Sequence, residues 1–128
     1  TGDEPCYQQL RANWVKQFIG DGLSGDIPVE KVVRDCGDMY HTFYLVPDPG
    51  RGKQVAPYWR QLLGEQTIVL GDPSDTCAVA AGIVAIAEGR VKNLDAVGKK
   101  LTEGGLDKSR VNRVLAAMKP WASSIGRD

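Results

Sequence analysis

The sequence predicts a mostly α, compact single domain with about five or six short helices and at most two short strands, with α+β as the alternative. Apolar residues recur at helical spacing in several windows, and residues that favour helix starts precede these windows. Only two short runs are rich in β-branched and aromatic residues. Because 128 residues suffice for one hydrophobic core, we expect one domain over residues 1–128.

The first two predicted helices lie in the N-terminal third of the chain. Asp3-Glu4-Pro5 is typical of a helix start, and an apolar face follows up to Gly20. A second start at Asp26-Ile27-Pro28 precedes another apolar stripe. The apolar residues of the two stripes are Tyr7, Leu10, Trp14, Phe18, Val29, Val32, Val33 and Cys36. Because the connection is short, we expect an antiparallel helical hairpin.

The middle of the chain contains the two strand candidates. Residues 39–46 (MYHTFYLV) and 67–70 (TIVL) are aromatic or β-branched, which favours extended structure. Between them, the spacing of apolar residues predicts a short helix over residues 54–63. Residues 78–87 are apolar on every side, which is typical of a central buried helix.

Two further helices are expected near the C-terminus. Asn93 is the predicted cap of the first, which ends at Gly104-Gly105. Asp107 is the predicted cap of the second, which is expected to end at Pro120. The residues predicted to be buried in the core are Leu10, Trp14, Val32, Val33, Val79, Ile83, Val84, Ile86, Val114 and Leu115.

Composition excludes several classes of function. The 16 basic and 16 acidic side chains give no net charge, so the chain as a whole does not attract nucleic acid or membrane surfaces. No apolar run is long enough to span a membrane. With one histidine and no closely spaced cysteines, we expect no metal site, and no cofactor fingerprint is present.

Two of the three cysteines are candidates for a disulfide. Cys6 lies at the start of the first predicted helix and Cys36 near the end of the second. An antiparallel hairpin brings those two positions together, so a Cys6–Cys36 bridge is geometrically reasonable. The alternative is two buried thiols.

We expect a secreted or periplasmic protein.

Cys77 raises the question of catalysis. With Asp75 as the helix cap, it lies in a first helical turn, where backbone amides favour an anion. A helix-start cysteine with His41 in an extended run resembles papain-like amidases in outline, and Cys6 is an equivalent candidate. Asp72 and Asp75 oppose a thiolate, however, so our preferred interpretation is that Cys77 is an enclosed packing residue.

The C-terminal hairpin suggests a second alternative. Residues 95–118 resemble a helix-turn-helix, and SRVNRVL is similar to the recognition helix of lactose-repressor-type regulators, although the turn is longer. Residues 90–119 contain eight basic and three acidic side chains, which suits a phosphate backbone. Lys108, Arg110 and Arg113 are the candidate contacts. An ordinary solvated helical face explains the same pattern.

These observations favour a binding protein without catalysis, of the inhibitor, immunity or effector type, with a protein as its partner. The thiol hydrolase and the nucleic-acid-binding hairpin are the alternatives, so an enzymatic role is left open. The candidate anchors for a partner are the aromatic residues Tyr58, Trp59 and Trp121, because aromatic side chains are frequent at interface centres.

Overall fold

The computed structural model describes all 128 residues, from Thr1 to Asp128. Helical residues make up 61% of the chain, so the mostly α prediction is confirmed. The helices are α1 (Ala12–Phe18), α2 (Val29–Met39), α3 (Pro49–Leu63), α4 (Thr76–Ala87), α5 (Leu94–Glu103) and α6 (Lys108–Ser124). The strands number four, and they are β1 (Gln9–Leu10), β2 (Ile27–Pro28), β3 (Tyr44–Val46) and β4 (Thr67–Val69). No helix is both long enough and apolar enough to cross a membrane.

The chain divides into two compact units. The N-terminal unit consists of residues 4–42 and contains α1, α2 and the antiparallel pair β1–β2. The C-terminal unit consists of residues 1–3 and 43–128, and it contains the parallel pair β3–β4 with the four remaining helices.

The C-terminal unit is built around the parallel strands. Parallel neighbours need a long crossover, and α3 supplies it between β3 and β4. Because successive side chains of a strand point to opposite faces, Tyr44 stacks on Trp59 of α3 with ring centroids 3.7 Å apart. Leu45 instead joins the core formed with α4, α5 and α6. The short sheet is therefore covered by helices on both faces.

Helices α4, α5 and α6 pack against one another in the main core. The core residues are Leu45, Ile68, Leu70, Val79, Ile83, Ile86, Leu94, Val97, Val114, Met118, Trp121 and Ala122. Gly82 allows the close approach of α4, because a Cβ there would lie 2.8 Å from the Met118 Sδ and 3.1 Å from the Val97 Cγ1.

The prediction of a long helix from Asp3 is wrong. Residues Gln9–Leu10 pair with Ile27–Pro28 as strands, and α1 begins only at Ala12. The Asp26 carboxylate accepts a hydrogen bond from the Ala12 N–H at 2.9 Å, which holds the helix start against the second segment. The strand pairing therefore takes the place of the first part of the expected first helix.

The predicted core residues are buried more often in the C-terminal unit than in the N-terminal unit. Val79, Ile83, Ile86 and Val114 are buried, and Trp14, Val33 and Leu115 are half-buried. Leu10 and Val32 are exposed, and Val84 of α4 is 59% exposed. The predicted all-round burial of α4 is wrong, because α5 and α6 cover only one of its faces.

Two helices extend beyond their predicted limits. Asp48 caps α3 by accepting hydrogen bonds from the Gly50 and Arg51 N–H groups, so the helix begins at Pro49. Helix α6 continues through Pro120 to Ser124. Pro120 and Ala116, four residues earlier, are both exposed, so water can replace the hydrogen bond that the proline removes.

Candidate functional site

Large apolar side chains are exposed mainly in the N-terminal unit. Seven of the nine large apolar side chains that the structure exposes lie in residues 4–42, and they are Tyr7, Leu10, Phe18, Ile19, Val32, Met39 and Tyr40. Val15 is the one fully buried large apolar residue of this unit. We refer to these seven side chains as the apolar surface. Their exposure leaves the unit with almost no core of its own.

Tyr7 of the apolar surface also belongs to an aromatic cluster that contains a cation. The ring of Tyr7 contacts that of Trp14 edge to face, with centroids 5.1 Å apart. The Arg11 guanidinium lies over the Trp14 ring, 5.1 Å from its centroid. With Gln8 and Gln9, these residues line an open cleft of about 520 Å³. Trp, Tyr and Arg are the residue types that most often dominate binding energy at protein interfaces.

The sequence of β1 and α1 explains how this cluster forms. Trp14 and Arg11 lie three residues apart around the start of α1, which places their side chains on one side of the helix. Tyr7 precedes β1, whose pairing with β2 fixes the direction of the chain there. The cluster therefore depends on the strand pair as well as on α1.

Helix α2 contributes a second part of the apolar surface. Its apolar side chains recur at i, i+3, i+4 and i+7, and Val32 and Met39 are exposed while Val29, Val33 and Cys36 are half-buried. The opposite face is charged, with an ion pair between Lys31 and Asp35. No residue of α2 is fully buried. The apolar face of α2 is therefore only partly covered.

The C-terminal unit contains a buried ion-pair cluster. Asp75, which is 1% exposed, follows β4 and lies at the start of α4. The Arg113 Nε donates to its Oδ2 at 2.7 Å, and the Arg113 Nη2 and Arg110 Nε donate to its Oδ1 at 3.1 and 3.2 Å. The Arg113 hydrogen bond lowers the pKa of Asp75, burial opposes this shift, and Arg110 lowers it further.

This cluster joins the segment after β4 to helix α6. Arg110 also donates to the Ser74 carbonyl at 3.0 Å, and Asp72 accepts hydrogen bonds from the hydroxyl and the N–H of Ser74. These Ser74 hydrogen bonds lower the pKa of Asp72. The Asp75 carboxylate thus binds two arginines of α6. It does not cap α4 through its side chain, which was its predicted role.

The basic residues predicted to contact nucleic acid are placed differently from one another. Helices α5 and α6 form the expected hairpin, and Lys108 is exposed at the start of α6. Arg110 and Arg113 bind Asp75, so much of their hydrogen-bonding capacity is used inside the protein. An open groove between α5 and α6, of about 560 Å³, is lined by Lys99 and Lys108 but also by Glu103, and neither Arg110 nor Arg113 lines it.

The structure contains no disulfide bond, so the predicted Cys6–Cys36 bridge is absent. The helix that was expected to begin at Cys6 is not formed there, since Cys6 precedes β1 and α1 begins only at Ala12. The Cys36 Sγ lies 3.5 Å from the Thr42 Oγ1.

Of the remaining candidates for catalysis, Cys77 belongs to the C-terminal unit, and Cys6 and His41 belong to the N-terminal unit. Cys77 lies in the first turn of α4 as predicted, but it is exposed, so the expectation that it is enclosed is wrong. His41 is exposed in the loop between α2 and β3 of the chain. No group of three or more His, Cys, Asp or Glu side chains is placed to hold a metal ion.

The aromatic residues proposed as anchors lie in the C-terminal unit. Trp59 and Trp121 are buried, and Trp121 contacts Phe43 edge to face with centroids 5.0 Å apart. Tyr58 is half-buried against Trp59. The exposed aromatic residues are instead Tyr7, Phe18 and Tyr40. Helical periodicity had placed Tyr7 and Phe18 on a buried face, and the Gly- and Pro-rich residues 20–28 were the only signal for a less regular segment.

Comparison of the chain with protein-family models, with curated protein sequences and with solved structures gave no match. The functional conclusion therefore depends on the geometry of these two units.

Proposed function

We propose that this chain is a non-catalytic binding protein that recognises a protein partner through the apolar surface of its N-terminal unit. The observation that carries the proposal is the concentration of exposed large apolar side chains in residues 4–42. Large apolar side chains that stay exposed in numbers on one small unit mark an interaction site if they form a patch surrounded by polar groups. Through Tyr7, the cluster adds the ring of Trp14 and the Arg11 guanidinium to the contacts that this surface can make.

The charge of this unit favours a protein partner over nucleic acid. Residues 4–42 contain six acidic and four basic side chains, so a phosphate backbone would be repelled overall. Apolar side chains at helical spacing on α2 suit the groove of another protein. Whether the partner makes this chain an inhibitor, an immunity protein or an effector depends on the partner's identity. A secreted or periplasmic location stays a prediction that cell fractionation tests.

Position-specific photocrosslinking tests the proposal. A photoreactive amino acid at Phe18, on the apolar surface, should give a discrete protein adduct in an extract of the source organism. The same amino acid at Ala116, exposed on α6, serves as the matched position in the other unit. Only the Phe18 position should give the adduct.

Substitutions beside the crosslinker add a second requirement. Tyr7→Ala or Arg11→Ala should reduce the Phe18 adduct by about tenfold, because truncating an interface anchor commonly costs more than 1 kcal/mol. The exposed Lys16→Ala should leave the yield unchanged. Equal adducts at Phe18 and Ala116, or an adduct that is insensitive to Tyr7 and Arg11, would contradict the proposed surface.

A further inference from the structure

The open cleft lined by Tyr7, Gln8, Gln9, Arg11 and Trp14 contains a cation that has no acidic partner. Arg11 is the one charged residue among the five that line the cleft. Its guanidinium contacts the Trp14 ring, 5.1 Å from the ring centroid, and forms no ion pair or hydrogen bond within the chain. The positive charge of the cleft is therefore not paired inside the protein.

The contact with Trp14 prepares Arg11 to bind a carboxylate. The N–H groups of a guanidinium lie in its own plane, so contact of its face with a ring leaves them available for a paired, fork-like interaction. Arg34, Arg60 and Arg90 are also exposed, but they contact no ring. Because the ring restricts the Arg11 side chain in advance, an ion pair there costs less conformational entropy than at the other three arginines.

The other groups of the cleft suit the remainder of a ligand that carries a carboxylate. Tyr7 is 76% exposed and its ring lies edge to face with that of Trp14, so both rings offer apolar surface next to Arg11. The Tyr7 hydroxyl and the side-chain amides of Gln8 and Gln9 form no hydrogen bond within the chain, so they are available to a ligand. The cleft thus combines one cation, two aromatic rings and three neutral polar groups.

The charges around the cleft favour a single carboxylate over a phosphate or a cluster of acids. Residues 5–20 contain two basic side chains and no acidic one, whereas residues 21–38 contain five of the six acidic side chains of the N-terminal unit. The Asp26 carboxylate, which accepts the hydrogen bond from the Ala12 N–H, adds an opposing charge at the start of α1. Because polyanions are bound by several cations, the single guanidinium of the cleft suits a monoanion.

The shape of the cleft favours a side chain of a protein over a free small molecule. Sites for small molecules enclose most of the ligand, whereas this cleft is open and covers a ligand from one side. A side chain of a larger partner gains further contacts on the apolar surface, to which Tyr7 belongs. We infer that the cleft binds the carboxylate of an aspartate or glutamate of the protein partner through Arg11, with the rings of Tyr7 and Trp14 against an adjacent apolar residue. This inference rests on the proposed function and adds the chemistry of one contact.

Two blocked peptides, acetyl-ALEFA-amide and acetyl-ALQFA-amide, are the probes, and they differ only in the carboxylate of the central residue. Their binding to the isotope-labelled full chain is followed by NMR through the indole N–H signals. The Trp14 signal should shift during the titration, while those of Trp59 and Trp121, which are buried, should not. The glutamate peptide should bind about tenfold more tightly than the glutamine peptide, because its carboxylate forms a charge-assisted pair with Arg11.

Substitutions at Arg11 test whether this residue causes the preference. Arg11→Gln should abolish it, so that both peptides bind equally weakly. Arg11→Lys keeps the charge but not the planar fork, so it should retain a preference of about threefold. Lys16→Gln, at an exposed lysine of α1 that does not line the cleft, is the matched control and should retain the full preference. The Arg11 side chain forms no cap hydrogen bond at the start of α1, so these variants should fold normally, which circular dichroism checks.

The inference is wrong if the two peptides bind the original chain equally, if neither binds, or if Lys16→Gln loses the preference as Arg11→Gln does. Free phenylpropionate, a small molecule with a carboxylate and a ring, separates the two sources of such a ligand. It should bind more weakly than the glutamate peptide. Tighter binding of phenylpropionate would assign the cleft to a small-molecule ligand and not to a side chain of a partner.

These experiments use no partner protein, so their failure is distinguishable from failure of the proposed function. If the photoreactive amino acid at Phe18 gives no adduct while the preference for the glutamate peptide is present, the proposed function is contradicted and the selectivity of the cleft is retained. If the adduct forms but the preference is absent, the carboxylate site alone is contradicted.

Discussion

Asp75 is the centre of the buried ion-pair cluster of the C-terminal unit. Its carboxylate is buried and binds two guanidinium groups of α6, whose outer parts reach solvent. Burying a carboxylate is unfavourable unless its partners are well placed. Removing one member of a buried ion-pair cluster destabilises the protein by more than the complete cluster stabilises it. The main effect of the cluster is therefore to fix the position of the segment after β4, and its net contribution to stability is small.

Asp75→Asn should lower the free energy of unfolding by about 3 kcal/mol at pH 7, because it leaves Arg110 and Arg113 without their carboxylate. Urea denaturation measures the change. The control is Asp35→Asn, which breaks the exposed pair with Lys31 and should cost about 0.5 kcal/mol or less. Equal costs for the two variants would mean that the Asp75 cluster contributes no more than a surface ion pair.

The pH dependence follows from the direction of the Asp75 shift. The Arg113 hydrogen bond lowers the pKa of Asp75 in the folded protein relative to the unfolded chain. The stabilisation is therefore complete above the unfolded pKa of about 3.9 and is lost as the pH falls through the lower folded value. We expect the difference between the original chain and Asp75→Asn to be constant from about pH 7 to 5 and to decrease below about pH 4. A difference that is already lost near pH 6 would contradict this assignment.

At Thr67, by contrast, we expect a substitution that raises the free energy of unfolding. Its Oγ1 is buried and has no hydrogen-bond partner in the structure. Thr67→Val replaces this hydroxyl by a methyl group of similar size in a strand, so it should raise the free energy of unfolding by about 1 kcal/mol. Thr67→Ser keeps the hydroxyl and removes the methyl group, so it should lower stability. Thermal denaturation of both variants separates the two effects, and a destabilised Thr67→Val would show that the hydroxyl is satisfied.

At the scale of elements, two helical glycines have opposite surroundings. A Cβ on Gly37 of α2 would meet nothing within 4 Å, whereas one on Gly82 of α4 would press on Met118 and Val97. The same substitution therefore tests local helix propensity at one position and close packing at the other.

Gly37→Ala should raise the free energy of unfolding by about 0.5–1 kcal/mol through helix propensity alone. Gly82→Ala should lower the free energy of unfolding by about 1 kcal/mol, because the cost of overpacking exceeds the gain in helix propensity. Chemical denaturation of the two variants checks both signs. A stabilised Gly82→Ala would mean that α4, α5 and α6 can move apart without loss.

The helices with strong local signals could be predicted from the sequence. Asn93 and Asp107 cap α5 and α6 through hydrogen bonds to the Ala96 and Arg110 N–H groups, as their positions indicated. The short α1 could not be predicted, because the pairing of Gln9–Leu10 with Ile27–Pro28 overrides the helical periodicity of residues 7–18. The extension of α6 through Pro120 depends on the exposure of that helix face, which periodicity alone does not give.

The candidate site was harder to predict than the fold. The sequence pattern of an apolar residue at helical spacing is the same whether or not another helix covers that residue. Val84 and Met39 have this spacing and are nevertheless exposed. Arg110 and Arg113 likewise formed part of a basic stretch in the sequence, and only the fold shows that Asp75 binds them. Contacts between residues far apart in the chain decide both cases.

At the scale of the whole molecule, the two units differ in what they bury. The C-terminal unit contains the continuous core, with Met118 and Val114 inaccessible to solvent. The N-terminal unit exposes its largest apolar side chains. The buried core of the C-terminal unit therefore provides most of the stability, and the apolar surface is the site that we propose for recognition.

The free energy of unfolding of one triple variant, Tyr7→Ser with Phe18→Ser and Met39→Ser, tests this assignment most directly. These side chains are 76%, 76% and 75% exposed, so the triple variant should lose no more than about 1 kcal/mol, within the usual range of surface substitutions. Met118→Ala, at a fully buried position, should by itself lose about 3 kcal/mol. If the triple variant loses as much as Met118→Ala or more, the three side chains belong to a core, and the apolar surface is not available to a partner.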